Sequence, residues 1–102
     1  MKVVRTPRAI EGFREVATYI ATNFGNKALL EFRQRTKEWT ELLKKNPRLG
    51  SVDDELSTDD TTYRIVIIYR RSIMVYRIDH DTIIVVDFYD TRHSTPSSIL
   101  FE

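Results

Sequence analysis

Apolar residues recur along the first half of the chain at helical spacing. Ile10, Phe13, Ala17, Ile20 and Phe24 are separated by 3, 4, 3 and 4 positions, one stripe along one helix face. Thr6 stands before them as an N-cap, Pro7 takes the first helical position, and Gly25 follows as a C-terminal stop. The same spacing returns at Leu29, Phe32, Thr36, Trp39 and Leu43, with Asn26 as the cap and Asn46-Pro47 as the end. The pattern predicts helices over residues 7–23 and 26–46. At 1.5 Å per residue the second is roughly 30 Å long. The tight link at Gly25-Asn26 folds the two into an antiparallel hairpin. Trp39 and the phenylalanines are core candidates, with Trp39 between the hairpin and its packing partner. Val3-Val4, before the first helix, reads as a short edge strand.

After residue 62 the period changes to two. Tyr63, Ile65, Ile67 and Tyr69 alternate with Arg64, Val66, Ile68 and Arg70. Met74, Tyr76 and Ile78 alternate with Ile73, Val75 and Arg77; Ile84, Val86 and Phe88 alternate with Ile83, Val85, Asp87 and Tyr89. These are three strands of an antiparallel meander. Arg71-Ser72 fits a two-residue turn and Asp79-His80-Asp81 a three-residue one.

The helical hairpin must bury its stripe on one face of that sheet. The alternation assigns Ile65, Ile67, Met74, Tyr76, Ile78, Ile84, Val86 and Phe88 to the covered face. It leaves Arg64, Val66, Ile68, Ile73, Val75, Arg77, Ile83, Val85, Asp87 and Tyr89 on the other. The first turn also sets Arg64 across from Asp79 and Arg77 across from Val66. No further element is long enough to cover the second face. Residues 91–102 carry Pro96 and the Ser/Thr residues at 94, 95, 97 and 98 and read as a flexible tail. An uncovered apolar sheet face is a partner site.

Charge is unevenly divided. Residues 1–50 hold 11 Lys/Arg and 5 Asp/Glu, whereas residues 51–102 hold 5 and 10. The acidic run Asp53-Asp54-Glu55 with Asp59-Asp60 reads as an exposed loop, and it lacks the spacing and central glycine of an EF-hand. No metal site is expected. Gly12, Gly25 and Gly50 are isolated, so there is no nucleotide-binding glycine loop and no cofactor is expected. The chain has no cysteine, which excludes thiol catalysis, a disulfide framework and cysteine-ligated zinc, and fits a cytoplasmic setting. Its 102 residues make a single domain, 1–102, with no apolar run long enough for a membrane span.

The order strand, helix, helix, then three strands resembles the RelE/ParE superfamily of bacterial toxins. Pro7-Arg8-Ala9-Ile10 and Tyr19-Ile20 stand where these proteins open and close the first helix. Lys45-Asn46-Pro47-Arg48-Leu49-Gly50 is similar to the family's exit from the second helix. Met74-Val75-Tyr76-Arg77-Ile78 resembles its aromatic-rich strand. Ile83 through Arg92 resembles the last strand and its arginine-bearing exit. The resemblance implies an α+β fold, β-α-α-β-β-β: an antiparallel four-stranded sheet in the order 1-4-3-2 with the hairpin on one face. It also implies the toxin of a type II toxin–antitoxin module, growth-inhibiting and neutralised by a cognate antitoxin.

Two activities diverge inside that superfamily. ParE-like members poison DNA gyrase; RelE-like members cut messenger RNA on the ribosome. The second would need groups to take a 2′-hydroxyl proton and stabilise phosphorane charge. By resemblance those are Arg64, Arg92 and His93. The remaining positions of the nuclease pattern carry Val66, Ile73 and the stretch Ile99-Leu100-Phe101, so the ParE-like reading is favoured. The nuclease is the alternative, metal-independent if enzymatic. An inactive member serving only as a protein-interaction module is the third. The partner surface expected is Arg64, Val66, Ile68, Val75, Arg77, Ile83 and Val85, covered by an antitoxin segment or by a second copy in a homodimer.

Overall fold

Thr6 opens the helical region as the sequence predicts. Its hydroxyl accepts from the Ala9 N–H at 3.1 Å, and Pro7 follows. The structure, a computed structural model, describes residues 1–93. Strand β1 (Lys2–Arg5) leads into α1 (Pro7–Lys45), then β2 (Ser51–Val52), β3 (Arg64–Tyr69), β4 (Ser72–Asp79) and β5 (Thr82–Asp90).

Helix α1 is broken at Gly25, whose φ of 89° and ψ of 178° are non-helical and suit glycine. The chain folds back there. The rings of Phe13 and Phe32 stack at 5.0 Å, a distance that an unbroken helix spanning those positions would make impossible. The two arms form the expected hairpin. The first arm buries Ala9, Val16, Ala17 and Ile20, and leaves Ile10 and Phe24 exposed; the second buries Ala28, Phe32, Thr36 and Leu43. Trp39 is half-buried against the main core rather than enclosed by it.

The sheet keeps the predicted neighbours and differs in two particulars. Its order is β1-β5-β4-β3-β2, five strands with the two-residue β2 added at the edge. The β1–β5 pair is parallel, so the sheet is mixed.

The face assignment changes for two strands, through an irregularity between Ile67 and Tyr69 in β3 and through a shorter turn before β5. The β3–β4 turn is Arg70-Arg71, with Arg70 at φ 53°, one residue earlier than Arg71-Ser72. The β4–β5 turn is His80-Asp81, with His80 at φ 56°, because Asp79 already pairs with Thr82. A one-residue slip sends every side chain of a strand to the opposite face. Val66, Ile68, Ile83 and Val85 therefore lie in the main core with the helices. Ile67 points away and is 61% exposed. An irregularity in β5, where Val75 pairs with Asp87 and Tyr76 with Val85, restores Phe88 to the core.

The second sheet face is covered from within the chain. Ile73, Val75, Val86 and Tyr89 form a buried cluster there, packed by Leu56, Tyr63, Ile65 and Ile84. The acidic segment is folded to deliver Leu56. The Asp53 carboxylate accepts from the N–H groups of Glu55 at 3.0 Å and Leu56 at 3.1 Å. The Asp53 N–H donates to the Tyr63 carbonyl at 2.9 Å, closing the loop. The expected uncovered face is a second, smaller core. The tail residues Ile99, Leu100 and Phe101 lie outside the described residues.

Candidate functional site

Arg64 stands at the start of β3, opposite Tyr76 and not opposite Asp79. One of its terminal nitrogens donates to the carbonyls of Gly50 at 2.8 Å and Arg48 at 3.1 Å. Tyr76 works on the same segment. Its hydroxyl donates to the Pro47 carbonyl at 2.7 Å and accepts from the Gly50 N–H at 2.9 Å. Burial pushes the Tyr76 phenol above its ordinary value. The exit from the helical hairpin is thus pinned to the sheet by these two side chains. Beyond it opens a cleft of about 530 Å³, with Arg48, Arg64 and Arg77 on its walls and Thr61, Thr62 and Asp79 among its lining.

Arg92 is engaged elsewhere. Its guanidinium makes a two-point contact with the fully buried Asp90, Nε at 3.0 Å and Nη2 at 2.8 Å, and its backbone N–H reaches the same carboxylate at 2.9 Å. Ser72 donates to Asp90 as well, at 2.9 Å. Burial alone would raise Asp90, but the hydrogen bonds from Arg92 and Ser72 prevail and hold it below the usual carboxylate value. Arg92 is correspondingly held above its own. The guanidinium lies over the Phe24 ring at 4.6 Å, and the His93 ring stacks on Tyr19 at 4.5 Å.

The three residues of the nuclease reading do not share a groove. Tyr76 marks the level of Arg64 on β4, whereas Ser72 marks the level of Asp90, which holds Arg92. Four residues of strand are roughly 13 Å, and the two intervening strand spacings add roughly 10 Å sideways. Arg64 thus belongs to one end of the sheet, and Arg92 with His93 to the other. No group of three or more His, Cys, Asp or Glu among the described residues is placed to hold a metal ion.

The expected partner face is also redistributed. Val66, Ile68, Ile83 and Val85 are core residues, and Val75, though on the outer face, is 0% exposed. Arg77 is half-buried beside the cleft. An open apolar groove lies instead on the helical hairpin. It holds about 380 Å³ and is lined by Phe13, Ala17 and Leu29, with Arg5, Arg14 and Arg33 around them. The Arg5 guanidinium lies 4.8 Å from the Phe13 ring and 4.9 Å from that of Phe88, and burial lowers its pKa. Neither Arg5 nor Arg33 makes an ion pair among the described residues. Ile10, 48% exposed, stands at the rim. Sequence reasoning missed this groove by placing Ile10 in the core. The signal was Ala9 and Gly12, small residues that let the first arm sit closer on a face rotated from the assumed stripe.

Comparison with known proteins agrees with this architecture. Residues 3–94 match the family described as the ParE toxin of the type II toxin–antitoxin system parDE. Among solved structures, the fold is similar to a chain of the "Chromosomal ParDE TA system from P. aeruginosa". That match has a TM-score of 0.68 at 14% identity, covering 88% of this chain and 95% of the other. No curated protein matches the sequence.

Proposed function

We propose a function from one premise: the chain belongs to the ParE toxin family of type II toxin–antitoxin systems. It is a growth-inhibiting toxin that acts on DNA gyrase by binding it, without cutting a substrate, and that a cognate antitoxin neutralises. The observation that carries the non-enzymatic part is the separation of Arg64 from Arg92 and His93. Acid–base transfer and charge stabilisation must converge on one phosphate. Here Arg64 lies at one end of the sheet, and Arg92, at the other, is spent on Asp90. No helix among the described residues is long and apolar enough to cross a membrane, which accords with a target in the cytoplasm.

The antitoxin segment is assigned to the groove of the helical hairpin. Its floor is apolar and its rim carries Arg5, Arg14 and Arg33, so an acidic amphipathic segment is complementary to it. Arg5 in particular is an exposed cation lying over two aromatic rings, with no carboxylate partner among the described residues.

The test is expression with and without the neighbouring gene, followed by two readouts on the same cells and on purified chain. Inhibition of gyrase supercoiling with intact messenger RNA supports the proposal. Primer-extension stops in messenger RNA, abolished by Arg64→Ala, would replace it with the nuclease reading. Neither effect, with complex formation intact, would leave a protein-interaction module.

A further inference from the structure

The cleft at the end of the sheet has no role in the reading above, and its chemistry differs from that of the helical groove. We infer that it is a binding site for a phosphate group carried on a nucleotide-sized ligand. Three arginines from separate parts of the chain meet there: Arg48 from the hairpin exit, Arg64 from β3 and Arg77 from β4. Arg64 is held in place by the Gly50 and Arg48 carbonyls through a single nitrogen, so its other N–H donors stay available. Arg48 and Arg77 make no side-chain hydrogen bond or ion pair among the described residues. Three guanidiniums lining one concave surface, two of them without a side-chain partner among the described residues, suit a tetrahedral anion with several acceptor oxygens.

The rest of the lining favours phosphate over an amphipathic peptide. Thr61 and Thr62 contribute hydroxyls, and Ile78 is the one aliphatic side chain in the wall, so little surface exists for apolar anchors. Asp60 and Asp79 are also present; Asp79 lies 3.7 Å from the His80 ring and does not pair with the arginines. At about 530 Å³ the cleft falls within the roughly 300–1,000 Å³ of small-molecule sites. The inference does not depend on what the toxin targets.

Titration of the full chain, followed by the backbone amide signals of Thr61, Thr62 and Ile78, tests it. The probes are inorganic phosphate, adenosine monophosphate, a short single-stranded oligonucleotide and a poly-glutamate peptide. Saturable shifts with a phosphate-bearing probe are expected, weakened about tenfold or more by Arg77→Gln or Arg48→Gln. Arg33→Gln, in the helical groove, should leave them unchanged. Saturation by adenosine monophosphate assigns a free nucleotide. Saturation by the oligonucleotide alone, with steep salt dependence, assigns a nucleic-acid backbone. Absence of saturable binding overturns the proposal. So does binding that survives Arg48→Gln with Arg77→Gln, or equal affinity for the peptide. Because Arg64 also anchors the chain, the test does not rely on changing it.

Discussion

The Tyr76 hydroxyl and the Gly50 backbone are fitted to each other without slack. The Gly50 N–H donates to the hydroxyl at 2.9 Å, and a Cβ built on Gly50 would sit 2.7 Å from the same oxygen. Gly50 is therefore required by close approach and not by its backbone angles. Gly50→Ala should push the ring aside and cost about 1–3 kcal/mol in urea unfolding. Tyr76→Phe leaves the Gly50 N–H and the Pro47 carbonyl without this partner and should cost about 1–2 kcal/mol. Both should also loosen the segment that Arg64 holds. If unfolding midpoints stay at wild type in both variants, the anchor has no energetic weight.

The clasp between Arg92 and Asp90 predicts a pH dependence of known sign. Asp90 is held below its ordinary value in the folded chain, after burial is outweighed by its hydrogen bonds. Its contribution is present above the unfolded carboxylate pKa and is lost as pH falls through the folded one. Arg92→Ala strands a fully buried carboxylate with less support and should cost about 3 kcal/mol at neutral pH. In that variant acid unfolding should begin at higher pH than in wild type. Parallel melts between pH 7 and pH 3 measure the shift; coincident acid limbs would refute the clasp.

Asp87 predicts the opposite slope. Burial pushes it up to about 6, against the opposing pull of Arg8 and the Phe88 N–H. The folded state then binds a proton that the unfolded state has released between about pH 4 and 6. This group stabilises below the unfolded pKa, and that contribution declines as pH rises through the folded one. Asp87→Asn should flatten the change across that window, and a carbon-detected titration of the carboxyl should give a midpoint near 6. A midpoint near 4 would mean that the Arg8 guanidinium, 3.6 Å away, governs it.

Much of this architecture was legible, and the misreadings have physical causes. The helix caps at Thr6 and the break at Gly25 are local signals that survive packing. Hairpin register is not local in that way: Arg70 and His80 both take positive φ, a conformation their side chains do not advertise. The irregularity between Ile67 and Tyr69 exchanges Val66 with Ile67 between faces, and a β4–β5 turn one residue shorter than expected exchanges Ile83 with Ile84. Leu56 was the sole aliphatic residue in the acidic stretch, and the Asp53 carboxylate that positions it was read only as charge. The resemblance grouped Arg64, Arg92 and His93 in one nuclease reading. Their separation follows from strand levels that only the observed register fixes.

The same register moves the test of partner binding. Val75→Asp places a carboxylate where the side chain is 0% exposed, in the cluster packed by Leu56 and Tyr63. Such a change should unfold the chain or cost several kcal/mol, so loss of a complex would report stability and not contact. Ile10 and Arg33 are the informative positions. Both are exposed, Ile10 at 48%, and both line the helical groove. Ile10→Asp and Arg33→Glu should leave the melting temperature within a few degrees of wild type, as surface substitutions usually do. Each removes a complementary feature, apolar area in one and positive charge in the other. Affinity for the neighbouring gene product should fall about tenfold or more for each, and further for the pair. The Arg33→Glu effect should shrink as salt is raised, since its charge is screened, whereas the Ile10→Asp effect should retain the part due to lost apolar contact. Unchanged affinity in the double variant, with the fold intact, would place the antitoxin on another surface of the toxin.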